Sequence, residues 1–210
     1  MPMKKNQETR RAKVKLEVRT DGDEESQVIE GYALKFNRAS EVLGWFRKFR
    51  EKIDPHALDE ASMDNVVATF NHDQNQILGR TGVNLDLSVD NIGLKFRLKP
   101  VDTTLTRDML ENIKAGIINQ CSFAFTIPDS DDAEDWEESE EDGVDYDRTI
   151  RKIDHLYDVS VVTTPAYPDT EVTVGERSKE RVERLNQAPI DLEKRKLLNE
   201  LTKNELLKGI

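Results

Sequence analysis

Ile118-Asn119-Gln120-Cys121-Ser122-Phe123-Ala124-Phe125-Thr126-Ile127 is the stretch from which the fold can be read. By period-two alternation Cys121, Phe123, Phe125 and Ile127 share one face of a strand, and Ser122, Ala124 and Thr126 share the other. The first face suits a core. The second is a strip of small residues beside a hydroxyl, which leaves room for a substrate, although a strand turning its polar face to solvent would read the same way.

The neighbouring segments extend the pattern. Upstream, Leu105, Met109, Leu110 and Ile113 fall at helical spacing between Thr104 and Ala115, with Gly116 placed to end the helix. Val83 to Val89 and Leu94 to Leu98 alternate around Asp90-Asn91 and predict a hairpin. Val66 to Phe70 is a short apolar strand that runs into Asn71-His72-Asp73. Asp54-Pro55 carries the signature of a short helix start. Val14, Leu16 and Val18, then Val28, Glu30, Tyr32, Leu34 and Phe36, predict an opening hairpin turned by residues 21–25. Downstream, Ile150 to Val162 reads as one long strand closed by Thr164-Pro165-Ala166-Tyr167-Pro168.

These elements predict an α+β domain over residues 14–175, its core a mostly antiparallel β-barrel or strongly curved sheet with a few packed helices. Residues 1–13 read as a disordered basic arm. Residues 176–210 are charged, rich in leucine and short of turn residues, and predict a helical tail or linker. Apolar and charged residues are nearly equal, at 36% and 35%, so the chain is more polar than an ordinary compact domain. The charge is uneven. Residues 129–147 hold twelve Asp or Glu in nineteen positions and no Lys or Arg; without them the formal net charge of −11 becomes about +1. This block reads as a solvated acidic loop.

Several function classes are disfavoured. Asp129-Ser130-Asp131-Asp132 lacks the glycine and terminal glutamate of a calcium loop, and three histidines with one cysteine show no zinc-ligand spacing. The few basic residues at the N-terminus lack an aromatic platform, so no specific nucleic acid is expected. No run nears the roughly 18 apolar residues that span a bilayer, the start has no signal-peptide core, and one cysteine permits no internal disulfide. The expectation is a soluble, intracellular protein with no membrane partner and no cofactor.

A serine hydroxyl needs a base to become a nucleophile, and the base needs a third group to fix its tautomer. Only His56, His72 and His155 are available. His72 follows an apolar strand, His56 opens an expected surface helix, and His155 lies in the last strand. Cys121, the better intrinsic nucleophile, falls on the apolar face and reads as a core residue.

Asn71-His72-Asp73 with Leu78-Gly79 beyond, then a helix and Gly116, then Cys121-Ser122-Phe123-Ala124-Phe125, then Leu156 to Val162 leading to Pro165-Ala166-Tyr167-Pro168 form a series. In this order and spacing they resemble the prohead proteases of tailed phages, which are distantly similar in fold to the herpesvirus assemblins. The resemblance covers roughly residues 14 to 175. It implies a serine endopeptidase with Ser122 as nucleophile, His72 as base and Asp158 as third member. Asp154, by strand parity, and His155, as the assemblins would have it, remain alternatives to Asp158. It further implies action inside the procapsid, in the cytoplasm of the infected host, on scaffold, on the major capsid protein's delta region and on the enzyme itself. Self-association is left open. The chain departs from the pattern in having Gln120, Cys121 and Ala124 where glycines are frequent. Residues 163–168 lack the arginine that helps bind the oxyanion in assemblins, leaving backbone amides near Ser122 or Ala166 for that role. The contrasting reading is a non-catalytic capsid assembly protein that binds capsid protein through its C-terminal helix.

Overall fold

Twelve strands and one helix arise from this pattern in the computed structural model, which describes residues 7–13, 16–20, 27–44, 47–163 and 183–184. In chain order they are β1 (Gln7–Lys13), β2 (Glu17–Thr20), β3 (Gln27–Lys35), β4 (Phe49–Ile53), β5 (Val67–Phe70), β6 (Asp73–Arg80), β7 (Leu85–Val89), β8 (Gly93–Leu98), α1 (Thr104–Lys114), β9 (Gln120–Thr126), β10 (Glu134–Glu138), β11 (Tyr146–Ile150) and β12 (His155–Val162). They form three open sheets, ordered β1-β9-β12-β5-β6, β10-β11-β4 and β2-β3-β8-β7. No sheet closes on itself, so of the barrel or strongly curved sheet expected from the sequence the closed barrel is absent, and the strands form three open sheets. Pairing is antiparallel except for β12 with β5 and β11 with β4.

The apolar faces of these sheets meet in one core that includes Leu34, Phe96, Leu98, Phe123, Phe125, Val159 and Val161. Helix α1 contributes Met109 and Ile113 and starts at Thr103, whose side chain and that of Thr106 each satisfy the other's backbone N–H. Gly116 follows it at φ +73°, a left-handed conformation that glycine adopts without penalty.

Several sequence expectations change. The basic arm is not disordered where it is described: residues 7–13 are strand β1, paired along β9 with Glu8 and Arg10 buried. The acidic loop is a hairpin, β10 with β11, because its carboxylates have partners. Glu134 meets Arg148, Asp132 meets Lys152 at 2.6 Å, Asp135 meets Arg151, and Glu141 meets Arg50 at 2.6 Å. The segment after Asp54 forms successive turns rather than a helix, with N–H groups of Ala57, Asp59 and Ala61 bonded three residues back. The long last strand is broken at residues 151–154, leaving β11 and β12 in different sheets. Of the expected few helices, α1 is the one seen in the domain's described residues. In β3 a register shift between Tyr32 and Leu34 carries both Ala33 and Leu34 inward, so strict alternation fails there.

The chain divides into a unit spanning Met1–Thr173 and a second spanning Val174–Ile210. In the second, only Glu183 and Arg184 are described; both are helical and exposed. The remainder of the expected tail lies outside the described residues, as do residues 164–168.

Candidate active site

A tight turn sets the position of the histidine. β5 and β6 pair antiparallel with Phe70 opposite Asp73, so Asn71 and His72 form a two-residue loop. Both have positive φ, 54° and 59°, the backbone of a type I′ hairpin turn. Asparagine tolerates that region better than most residues, and here its Oδ1 also accepts from the Thr163 backbone N–H at 3.1 Å. The Asn71 N–H donates to the Val161 carbonyl at 3.0 Å, and the His72 N–H donates to Ser160 Oγ at 2.8 Å. The turn is thereby pinned to the end of β12. Asp73 closes it, its carboxyl held below the usual range by hydrogen bonds, the backbone N–H of Asn75 first.

Sheet register supplies the other two groups. β12 lies between β9 and β5, with Ser160 opposite Ser122 and Asp158 opposite Ala124. Ser122, Asp158 and Ser160 therefore project from one face of the sheet, and Thr69 of β5, opposite Ser160, joins them. His72 Nε2 lies 2.6 Å from Ser122 Oγ and its Nδ1 lies 2.7 Å from Asp158 Oδ1. Ser122 is fully buried and Asp158 nearly so. A carboxylate can only accept, so Nδ1 carries a proton toward Asp158, and in the neutral imidazole Nε2 is then the acceptor facing the Ser122 hydroxyl.

The three residues expected from the sequence thus converge. The alternatives lie elsewhere: Asp154 and His155 pair with each other at 2.8 Å, both half-exposed at the start of β12, and His155 stacks on Tyr157. The register shift between Leu156 and Asp158 breaks the parity that linked Asp154 to Asp158. His56 is exposed beside Asp59. Cys121 is buried on the core face, where burial pushes its thiol pKa up, the wrong direction for a nucleophile.

Two residues escaped the sequence reading. Thr69 Oγ1 donates to Asp158 Oδ2 at 2.6 Å and lies 2.8 Å from Ser160 Oγ. Together with His72, Thr69 engages both oxygens of the carboxylate, and Ser160 holds the His72 backbone. Their signal was present: Ser160 shares parity with Asp158. Only knowledge of which strands are neighbours adds Thr69. One further contact was not foreseeable. Ser122 Oγ lies 2.8 Å from the backbone carbonyl oxygen of Arg10 in β1.

On the opposite face, Glu8 and Arg10 of β1 enter a buried charge cluster. Arg10 binds both oxygens of Glu51 at 2.6 and 2.7 Å and Glu8 at 2.5 Å. Arg148 reaches Glu8 at 2.8 Å, Glu51 at 2.6 Å and Glu134 at 2.6 Å. Burial alone would depress both guanidinium pKa values, but the surrounding carboxylates outweigh it and raise them. Among the described residues no cluster of three or more His, Cys, Asp or Glu is arranged to hold a metal ion. None of their helices is long and apolar enough to cross a membrane.

A family model described as Caudovirus prohead serine protease matches residues 14–185. Among solved structures, the chain is similar to the capsid assembly protease gp21 of bacteriophage T4. The identity is 13%, with 76% of this chain and 98% of that chain covered and a TM-score of 0.47. Nothing among curated proteins matches.

Proposed function

The chain belongs to the caudovirus prohead serine protease family, and on that premise we propose that it is a serine endopeptidase of procapsid maturation with Ser122 as nucleophile, His72 as general base and Asp158 as its orienting carboxylate. The observation that carries this reading is the continuous contact of 2.6 and 2.7 Å linking Ser122, His72 and Asp158, although Ser122 and Asp158 lie 50 and 86 residues from His72.

In this reading His72 Nε2 takes the hydroxyl proton as Oγ attacks the scissile carbonyl carbon. The resulting imidazolium is stabilised by Asp158, which Thr69 holds in orientation. His72 passes the proton to the departing amine, the C–N bond breaks, and an acyl-enzyme remains. Water, deprotonated by His72, then cleaves the ester. The substrates are the scaffold or the delta region of the major capsid protein, met inside the procapsid in the host cytoplasm. The protease domain spans 14–175, and the linker of 176–210 is the site of self-cleavage.

Incubating the purified chain alone and with procapsid proteins, followed by mass spectrometry, tests this. Wild type should fragment the scaffold or capsid protein and shed its own tail beyond about residue 175, whereas Ser122→Ala should do neither and Cys121→Ala should do both. Equal tail loss from wild type and Ser122→Ala would point to a contaminating protease. Complete retention in wild type, with capsid binding lost on truncation after Gly175, would instead favour an assembly protein.

A further inference from the structure

We propose that β1 is an intramolecular stand-in for substrate. The edge of β9 that it occupies is the peptide-binding lane of the enzyme, and that lane takes an extended polypeptide with an acidic side chain followed two residues later by a basic one. The proposal rests on the serine-protease reading above.

Four observations converge on it. First, β1 is the terminal strand of its sheet and pairs with β9, the strand that carries Ser122. Without β1 the backbone groups of β9 would form an open edge, which is how strand-adding peptides are bound. Second, β1 runs past the nucleophile itself: Arg11 is the register partner of Ser122, and the Arg10 carbonyl oxygen lies 2.8 Å from Ser122 Oγ. Third, the family match starts at residue 14, so β1 lies wholly N-terminal to it. Fourth, the side chains that seat β1 are charged rather than apolar. Glu8 lies against Arg148, and Arg10 against Glu51.

The Arg10 contact is inhibitory by its chemistry. Ser122 has one hydroxyl proton, and it can go to His72 Nε2 or to the Arg10 carbonyl, not to both. Donation to Arg10 takes from His72 the proton it must remove. The carbonyl also meets Oγ through its oxygen, as an acceptor, so its carbon is not the nearest atom and the Arg10–Arg11 bond is not aligned for attack. With Ser122 fully buried, the resting enzyme is closed.

The seat is also suited to exchange. Withdrawing β1 removes one carboxylate and one guanidinium, leaving Arg148 between Glu51 and Glu134. Arg148 then offers a site for an acidic side chain, and Glu51 one for a basic side chain. Buried ion pairs recover little beyond their desolvation cost, so replacing Glu8 and Arg10 by the same groups on another polypeptide is close to neutral.

The test uses the full chain carrying Gln7→Cys and Thr126→Cys, register partners in β1 and β9. Such pairs have Cα atoms about 4.5–5.5 Å apart, within reach of a disulfide. A fluorophosphonate reagent reports access to an activated Ser122. Oxidation should slow labelling by roughly tenfold or more, as expected of a tethered competitor at millimolar effective concentration, and dithiothreitol should restore it. Equal labelling in both states would overturn the proposal, since β1 would then be a fixed wall. Absence of labelling in both states and in wild type would also overturn the proposal, since β1 would then never vacate Ser122; the serine-protease reading is tested separately by the cleavage of scaffold or capsid protein described above. A second arm uses the unmodified chain with synthetic QETRRAK, the β1 sequence, and QKTERAK, its charge-swapped form. The first should slow labelling and the second should not; equal effects would overturn the assigned side-chain chemistry.

Discussion

Asp158 works through two bonds at once. Oδ1 accepts from His72 and Oδ2 from Thr69, so the carboxylate is fixed before it fixes the imidazole. Asn at this position preserves shape and can still accept from Thr69, but its amide can turn an N–H toward Nδ1 and favour the wrong tautomer. Asp158→Asn should therefore lower kcat by roughly 10⁴-fold with little change in KM, measured on a peptide derived from the capsid protein. Asp154→Asn and His155→Ala, which alter only the exposed pair at the start of β12, should stay within a few-fold of wild type. Should His155→Ala abolish cleavage while Asp158→Asn retained it, the third role would move to His155. At this scale the sequence was informative where one residue's type and strand position sufficed. Ser122 and His72 were candidates for that reason, while Asp158 was named ahead of Asp154 and His155 only because the family resemblance implied an acidic residue there. Thr69 was not a candidate, because its role exists only once β5 is known to lie beside β12.

Among the elements, the β5–β6 hairpin carries the most functional consequence in the fewest residues. Asn71 at φ 54° and His72 at φ 59° are left-handed, and a β-branched residue there costs about 1–2 kcal/mol. Asn71→Val should lose that much stability in urea denaturation and also release the turn from Thr163, shifting His72 Nε2 from its 2.6 Å contact with Ser122. Its kcat/KM should fall about 100-fold, the scale of a misplacement near 1 Å. Asn71→Gly, which accepts the same φ, should keep most of the stability and lose activity only through the missing side-chain acceptor. Wild-type activity in Asn71→Val would show that the turn does not position the histidine. Other elements were legible in proportion to their period. The hairpin of β7 and β8 and helix α1 followed directly from apolar spacing. The β10–β11 hairpin was read as a loop because its alternation is written in charges: Glu134 faces inward like a core residue, and Arg148, fourteen positions away, meets it there.

Across the whole domain, the same guanidinium ties together segments that no local pattern connects. Arg148 of β11 meets Glu8 of β1, Glu51 of β4 and Glu134 of β10, joining the sheet that carries Ser122 to the acidic one. Composition hid this arrangement, since Arg148 looks like any surface arginine until the register puts it among three carboxylates. Among the described residues the cluster brings two guanidiniums to three carboxylates. Arg148→Met keeps much of the side-chain length but takes away the guanidinium that Glu8, Glu51 and Glu134 share. Removing one partner of a buried ionic group typically costs about 3–5 kcal/mol, because the charges left behind have lost their water. For a chain of this size that corresponds to a fall in Tm of about 10 °C, measured by calorimetry on the Ser122→Ala background so that self-cleavage does not intrude. Adding Glu134→Gln to Arg148→Met removes one of the carboxylates that lost its guanidinium. The double variant should recover part of the lost Tm, while Glu134→Gln alone should cost less than Arg148→Met. Losses that simply added, with no recovery in the double variant, would mean that the two sites are uncoupled and that Arg148 acts through packing against Trp136 rather than through charge.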